Sequence, residues 1–327
     1  MSPLRAASDV ELGERLSAVL EPRLGPGVTV DDLVRLAGGS SRESWRFSAR
    51  TADGGVHRYV LRRDPPGVPT SGVRLESRLL SSAAALGAPV PTVVAAGGPE
   101  AGLGAAFVVV EFLDGETIPR RILRDDRLAG ARAALATQCG EVLAVIHRIP
   151  PADVPELPRG DQLDQLENLL DELGQPHPAF ELGLVWLRAN RPPGSSEVVV
   201  HGDFRNGNLI VGPEGIRAVL DWELAHVGDP LEDLGWLCVK SWRFGSPLPV
   251  GGFGRLEELV SAYERASGRH VDPDALYWWQ VLETMRWGII CIVQATTHIS
   301  GAVRSVDLAA IGRRVAEVEW DVLEMLP

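Results

Sequence analysis

Lysine is almost missing from this 327-residue chain: Lys240 is the single one among 32 basic residues, and the rest are arginine. Any site that would use an ammonium elsewhere must use a guanidinium, which is wider, forked and permanently charged. Cysteine is scarce too. Cys139, Cys238 and Cys291 stand far apart, in no zinc spacing and no disulfide framework, and the apolar stretch around each predicts a buried free thiol. No apolar run reaches the length that crosses a bilayer, the run Trp287–Val293 being too short. Met1-Ser2-Pro3-Leu4-Arg5-Ala6 lacks the apolar core of a secretory signal, so the expected location is cytoplasmic, with no membrane partner. A basic stripe is lacking as well: the net charge is −12, which argues against a nucleic-acid partner.

What is present is ordinary for a globular protein, at 45% hydrophobic and 23% charged residues. The length suits one large domain or two lobes, and it allows a core that needs no staples. Helical spacing over Glu11–Leu20 precedes three strand-like runs, Leu33–Ala37, Trp45–Ala49 and His57–Arg62. A helix is expected over Val73–Leu86, then strands over Val90–Val94 and Ala106–Phe112. After the turn signal Asp114-Gly115 the pattern becomes helical, over Leu128–His147, Gln162–Leu173 and Ala179–Ala189. A strand–loop–strand–turn–strand segment follows, then helices over Leu231–Trp242, Arg255–Ala266, Pro273–Thr297 and Leu308–Leu323. The expected class is α+β, with a β-rich lobe over 1–113 and a mainly helical lobe over 114–327.

Chemistry concentrates in the run His201-Gly202-Asp203-Phe204-Arg205-Asn206-Gly207-Asn208, which lies between two apolar stretches, and in Asp221, which ends a third. Asp203 can orient a hydroxyl nucleophile and take its proton. Asn208 offers a neutral oxygen and Asp221 a charged one, and Mg²⁺ bound to phosphates needs few protein ligands. Arg205 places a cation two residues from Asp203, where it could neutralise a transferred phosphoryl group or lie in solvent. Gly38-Gly39-Ser40-Ser41 sits between two expected strands, where backbone N–H groups can approach phosphate oxygens. Arg62 ends a strand and Glu76 lies on the next helix, an arrangement in which the cation holds phosphates and the carboxylate orients it. Asp229 and Pro230 read as the start of a helix, and Asp233 among Leu231, Leu234 and Trp236 needs partners if buried, as a brace for the catalytic loop. Trp242, Tyr277, Trp278, Trp279 and Trp287 could line a stacking pocket, although plain core is the simpler reading.

These residues together resemble the aminoglycoside phosphotransferase family of small-molecule kinases. The family pattern His-x-Asp-x-x-x-x-Asn is matched by His201, Asp203 and Asn208, and its metal aspartate by Asp221 in Leu220-Asp221-Trp222-Glu223. The likeness spans about residues 30 to 240, and Tyr59–Arg63 with Pro65-Pro66-Gly67 looks most like the branch related to kinase domains fused to acyl-CoA dehydrogenases. It implies a protein-kinase-like bilobal fold and an ATP- or GTP- and Mg²⁺-dependent transfer to a hydroxyl of a small-molecule acceptor, aminoglycoside-like or a hydroxyacyl compound. The run Phe107–Gly115 looks like the strand and hinge that hold adenine, with Glu111 and Leu113 at the contact. At the position of the family's strand lysine stands Arg62. A nucleotide-binding module of the same fold without transfer activity is the other reading.

Overall fold

The structure, a computed structural model, describes residues 3–36, 42–64, 72–194 and 197–327, the first seven of them by backbone alone. The chain divides into two compact units. The first comprises Met1–Gly115, Ala152–Glu156 and Arg217–Glu223, and the second the remainder.

In the first unit, α1 (Pro3–Leu24) is followed by β1 (Thr29–Arg35), β2 (Glu43–Arg50), β3 (Val56–Arg63), α2 (Gly72–Ala85), β4 (Val93–Gly97) and β5 (Phe107–Glu111). The strands form one sheet in the order β1-β2-β3-β5-β4, antiparallel throughout. Strand periodicity puts Trp45, Phe47 and Ala49 on one face of β2, with Leu61 opposite Trp45 and Tyr59 opposite Phe47. Leu12, Leu16 and Leu20, spaced every four residues on α1, pack against that face with Phe107 and Val109. Gly54 takes a positive φ in the turn between β2 and β3, where Thr51 N–H donates to Gly55 O.

The second unit begins with α3 (Pro119–Arg124), α4 (Ala129–Ile146), α5 (Gln162–Leu173) and α6 (Pro178–Ala189). Then come β6 (Val198–Val200), β7 (Leu209–Gly212), β8 (Gly215–Val219), whose last residues belong to the first unit, and β9 (His226–Gly228). β6 pairs antiparallel with β9. The chain continues through α7 (Leu231–Leu237), α8 (Leu256–Ser267), α9 (Pro273–Ile299), α10 (Val306–Gly312) and α11 (Val315–Met325). Close approach between helices excludes a side chain at Gly140 and Gly235. A Cβ on Gly140 of α4 would stand 2.5 Å from Leu259 O on α8, and one on Gly235 of α7 would stand 3.0 Å from the Trp279 carbonyl carbon on α9. Among the described residues, no helix is long and apolar enough to cross a membrane.

Several boundaries differ from the expectations. β1 starts at Thr29 and ends at Arg35, because a bulge between Asp31 and Val34, with Asp32 at φ 54, breaks the alternation that marks a strand. The helix expected over Leu231–Trp242 stops at Leu237. Val239 turns extended, and a 3₁₀ turn over Lys240–Arg243 replaces the rest. The helix expected over Leu308–Leu323 is two helices, α10 and α11, parted after Gly312, where a Cβ would lie 2.5 Å from that of Ala295 on α9. The short α3 has too few residues to show a period.

Candidate active site

The second unit builds the candidate catalytic loop from β6 outward. Val198, Val199 and Val200 are buried, and the chain leaves them through His201, Gly202 and Asp203. Gly202 has φ +76, and a Cβ there would lie 2.3 Å from Leu224 O, so no larger residue fits. Asp233, on the first turns of α7, accepts from the backbone: His201 N–H reaches its Oδ2 at 2.8 Å and Gly202 N–H its Oδ1 at 2.9 Å. His147, the cap that ends α4, completes the set, with Nε2 at 3.0 Å from Asp233 Oδ2 and Nδ1 at 2.9 Å from the Tyr263 hydroxyl. Asp233 is fully buried, which on its own would raise its pKa. His147 and the His201 N–H outweigh that and hold the carboxyl below its ordinary value. At the start of α7, Asp229 Oδ1 accepts from Leu231 N–H, while Asp229 N–H donates to Glu232 Oε1.

Asp203 is 9% exposed and receives three side-chain donors. Oδ1 accepts from Trp236 Nε1–H at 2.8 Å and from Arg205 Nε–H at 2.9 Å, and Oδ2 accepts from Asn208 Nδ2–H at 2.6 Å. A carboxylate has about four lone-pair directions, so one remains, on Oδ2. Asn208 spends its amide protons on Asp203, since Nδ2 also donates to the Asp203 carbonyl at 2.9 Å. Its amide oxygen is therefore the end left for a metal, a hard neutral donor of the kind Mg²⁺ takes. The Arg205 guanidinium lies 4.7 Å over the Trp242 ring, and Trp242 packs in tilted contact with Trp236 and Trp287 at centroid distances of 5.2 and 4.7 Å.

In the first unit, Arg62 ends β3 and Glu76 is buried on α2. Arg62 Nη1 pairs with Glu76 Oε1, and its Nη2 lies 3.1 Å from Glu223 Oε1 and 3.5 Å from Asp221 Oδ1. Arg42 takes the other Glu76 oxygen, Oε2, and also stands 3.2 Å from Glu223 Oε1. Burial pushes the Glu76 pKa up, against the pull of the two arginines. Burial likewise works against charge on Arg62, but Glu76, Asp221 and Glu223 outweigh it and keep its pKa above the ordinary value. Asp221 has φ +66, a left-handed backbone in a residue other than glycine, and its side chain is 43% exposed. An exposed carboxylate with one long ion-pair contact suits a hard cation.

Glu111 closes β5, its N–H donating to Thr92 O, and the next N–H, from Phe112, donates to Arg58 O. Leu113 follows half-buried. Gly38, Gly39, Ser40 and Ser41 lie outside the described residues. Of the expected aromatic group, Trp242, Trp278 and Trp279 are buried, Trp287 is half-buried, and Tyr277 is exposed with its hydroxyl bonded to Met325 O. Sequence reasoning missed three participants. Trp236 lies three residues after Asp233, one helical turn on, which is the signal that it shares a face with that brace. Arg42 directly follows Gly38-Gly39-Ser40-Ser41, and Glu223 lies two residues after Asp221.

A family model described as "Phosphotransferase enzyme family" matches residues 32–279. Mouse acyl-CoA dehydrogenase family member 10 is 30% identical over 221 residues, which is 62% of this chain and 20% of that protein, so the chain spans about a fifth of its length. A Ralstonia eutropha structure, provisionally named an aminoglycoside phosphotransferase, aligns with a TM-score of 0.75 at 22% identity, covering 95% of this chain and 98% of that one. A thermostable mutant of aminoglycoside phosphotransferase APH(4)-Ia, solved with AMP-PNP and hygromycin B, aligns with a TM-score of 0.60 at 17% identity, covering 93% and 97%. The α+β architecture here is the kinase-like fold of those structures.

Proposed function

The chain belongs to the phosphotransferase enzyme family, and we propose that it transfers the γ-phosphoryl group of ATP or GTP to a hydroxyl of a small molecule. The observation that carries this reading is the Asp203 carboxylate, locked by Trp236, Arg205 and Asn208 with one acceptor direction left on Oδ2. An acceptor hydroxyl donating to that oxygen is aimed, and Oδ2 takes its proton as the new O–P bond forms. The bond between the γ-phosphorus and the bridging oxygen breaks, and the nucleoside diphosphate leaves. Mg²⁺, when bound, would neutralise charge on the phosphate oxygens, and Asn208 and Asp221 are its proposed oxygen ligands.

Arg62, oriented by Glu76, is the proposed partner of the α- and β-phosphates, with the Gly38–Ser41 segment beside them and Glu111 and Leu113 at the base. Arg205 supplies positive charge next to Asp203. For the acceptor, hygromycin B in the APH(4)-Ia structure and the acyl-CoA dehydrogenase relative suggest two classes, an aminoglycoside-like alcohol and a hydroxyacyl compound. A screen of both classes for consumption of ATP and GTP with Mg²⁺, in wild type and in Asp203→Ala, tests the reading. Acceptor-dependent turnover that disappears in Asp203→Ala is expected. Nucleotide binding without Asp203-dependent turnover would leave only a binding module.

A further inference from the structure

We propose that Trp236 is a positioning residue for the Asp203 carboxylate, and that Arg286 fixes Trp236 in turn. This rests on the phosphotransferase reading, in which Asp203 receives the acceptor proton. Trp236 is 2% exposed, and its indole N–H donates to Asp203 Oδ1 at 2.8 Å. Nothing in ordinary core packing directs an indole onto a carboxylate. In the same aromatic cluster, the buried Nε1 atoms of Trp242 and Trp287 have no partner among the described residues.

Arg286, from the middle of α9, explains why the indole stays. Its guanidinium lies 4.7 Å over the Trp236 ring, its Nη2 donates to Gly202 O at 3.1 Å, and its Nη1 donates to Glu283 Oε2 at 2.9 Å. One buried cation thus grips the backbone just before Asp203 and the ring that bonds its side chain. The consequence is chemical. With Trp236 and Arg205 both on Oδ1 and Asn208 on Oδ2, the carboxylate cannot turn about its Cβ–Cγ bond without breaking hydrogen bonds. The open lone pair therefore keeps one direction. Removing the indole donor frees half of Oδ1 and lets the group rotate, so the proton acceptor is misaimed while the binding surfaces stay the same.

Trp236→Phe keeps an aromatic ring and removes the donor, and the probe is Mg·ATP with water as the phosphoryl acceptor. Loss of a hydrogen bond to a charged group should lower kcat about 10- to 100-fold with KM for ATP within about twofold. In an Asp203→Asn background, Trp236→Phe should cause no further loss, because its effect passes through that carboxylate. Arg286→Met should lower kcat likewise, and Arg286→Lys should restore part of it. In ¹H–¹⁵N spectra, the indole resonance lost in Trp236→Phe should be the one that shifts in Asp203→Asn. A Trp236→Phe enzyme at wild-type kcat, a loss that multiplies with Asp203→Asn, or an indole resonance blind to Asp203 would each overturn the proposal. Wild-type protein without Asp203-dependent turnover would overturn the phosphotransferase reading and this proposal with it. That result is distinct from Asp203-dependent turnover that is indifferent to Trp236.

Discussion

Replacing Asp233 by Asn removes one charge at nearly constant shape, and the structure allows the effect to be worked out. The native carboxylate is fully buried and accepts from His201 N–H and Gly202 N–H, with His147 Nε2 beside the same oxygen as His201. In Asp233→Asn, one oxygen still serves one backbone N–H. The NH₂ group occupies the other place and faces a second backbone N–H, donor against donor. His147 can change tautomer and accept from the new amide, but a peptide N–H cannot. One charge-assisted bond is lost and one buried N–H is stranded, which together should remove about 2–4 kcal/mol. Urea unfolding at neutral pH, followed by tryptophan fluorescence, measures this. Acid titration gives an independent signature. The Asp233 pKa is held below its ordinary value of 3.8, so its contribution is present above that value and is lost as pH falls through the lower folded-state value. That part of the acid transition should vanish in Asp233→Asn. A loss below about 0.5 kcal/mol, or an unchanged acid limb, would refute the brace argument.

Arg62→Ala should weaken ATP binding about 10- to 100-fold by calorimetry, because the charged partner proposed for the phosphates is gone. Stability should fall far less, since Arg42 still pairs with Glu76, and unchanged ATP affinity would take Arg62 out of the site. His226 has its pKa raised: burial opposes the charge, but the bond and the charge of Glu232, 2.7 Å away, outweigh burial. A raised histidine stabilises the fold fully below its unfolded pKa and loses that contribution as pH rises through the folded value. The urea midpoint should therefore fall as pH rises from the histidine's ordinary value of 6.5 through the raised folded-state value, less so in His226→Gln, and equal slopes in the two proteins would contradict this. Burial pushes the Cys238 and Cys291 thiols up to about 12 and Cys139 higher still, so native protein at mildly alkaline pH should resist thiol reagents until it is unfolded. Rapid labelling of any of the three in folded protein would show that its site opens.

The elements legible in the sequence were those with a long, clean period. Gln162–Leu173 was read to the residue, and α2, α4, α8 and α9 within one or two residues at each end. The misread ends share a cause, which is that tertiary contact rather than local pattern sets them. Asp32 and its bulge belong to pairing with β2, and the stop after Leu237 carries no Gly or Pro to announce it. At the site, Asp203, Asn208 and Asp233 were legible because their chemistry is polar and their context apolar. Trp236 was not, since an indole in an apolar helix looks like core, and only coordinates show where its one N–H goes. Arg42 and Glu223 were hidden for the opposite reason, as charged residues in polar stretches pass for surface.

The shortage of lysine bears on how the first unit handles charge. A lysine at the end of β3 would present one point charge to one glutamate. Arg62 instead presents a fork, and its two ends meet different partners: Glu76 through Nη1, and Glu223 with Asp221 through Nη2. Glu76 is equally divided, giving its second oxygen to Arg42, which also reaches Glu223. Two guanidiniums and four carboxylates thus form one network, since Arg42 Nε also lies 3.5 Å from the buried Asp64, and in it Arg42, Arg62 and Glu76 each have more than one counter-charge. That redundancy offsets the desolvation a single buried pair would carry. On the role proposed for Arg62, an arriving phosphate would compete with Asp221 and Glu223 for the same Nη2, while Nη1 would remain on Glu76. Nucleotide binding of the proposed kind would exchange carboxylate contacts for phosphate contacts on one end of the fork and leave the other anchored. A lysine ammonium, with its donors on a single nitrogen, has no separate end to keep anchored.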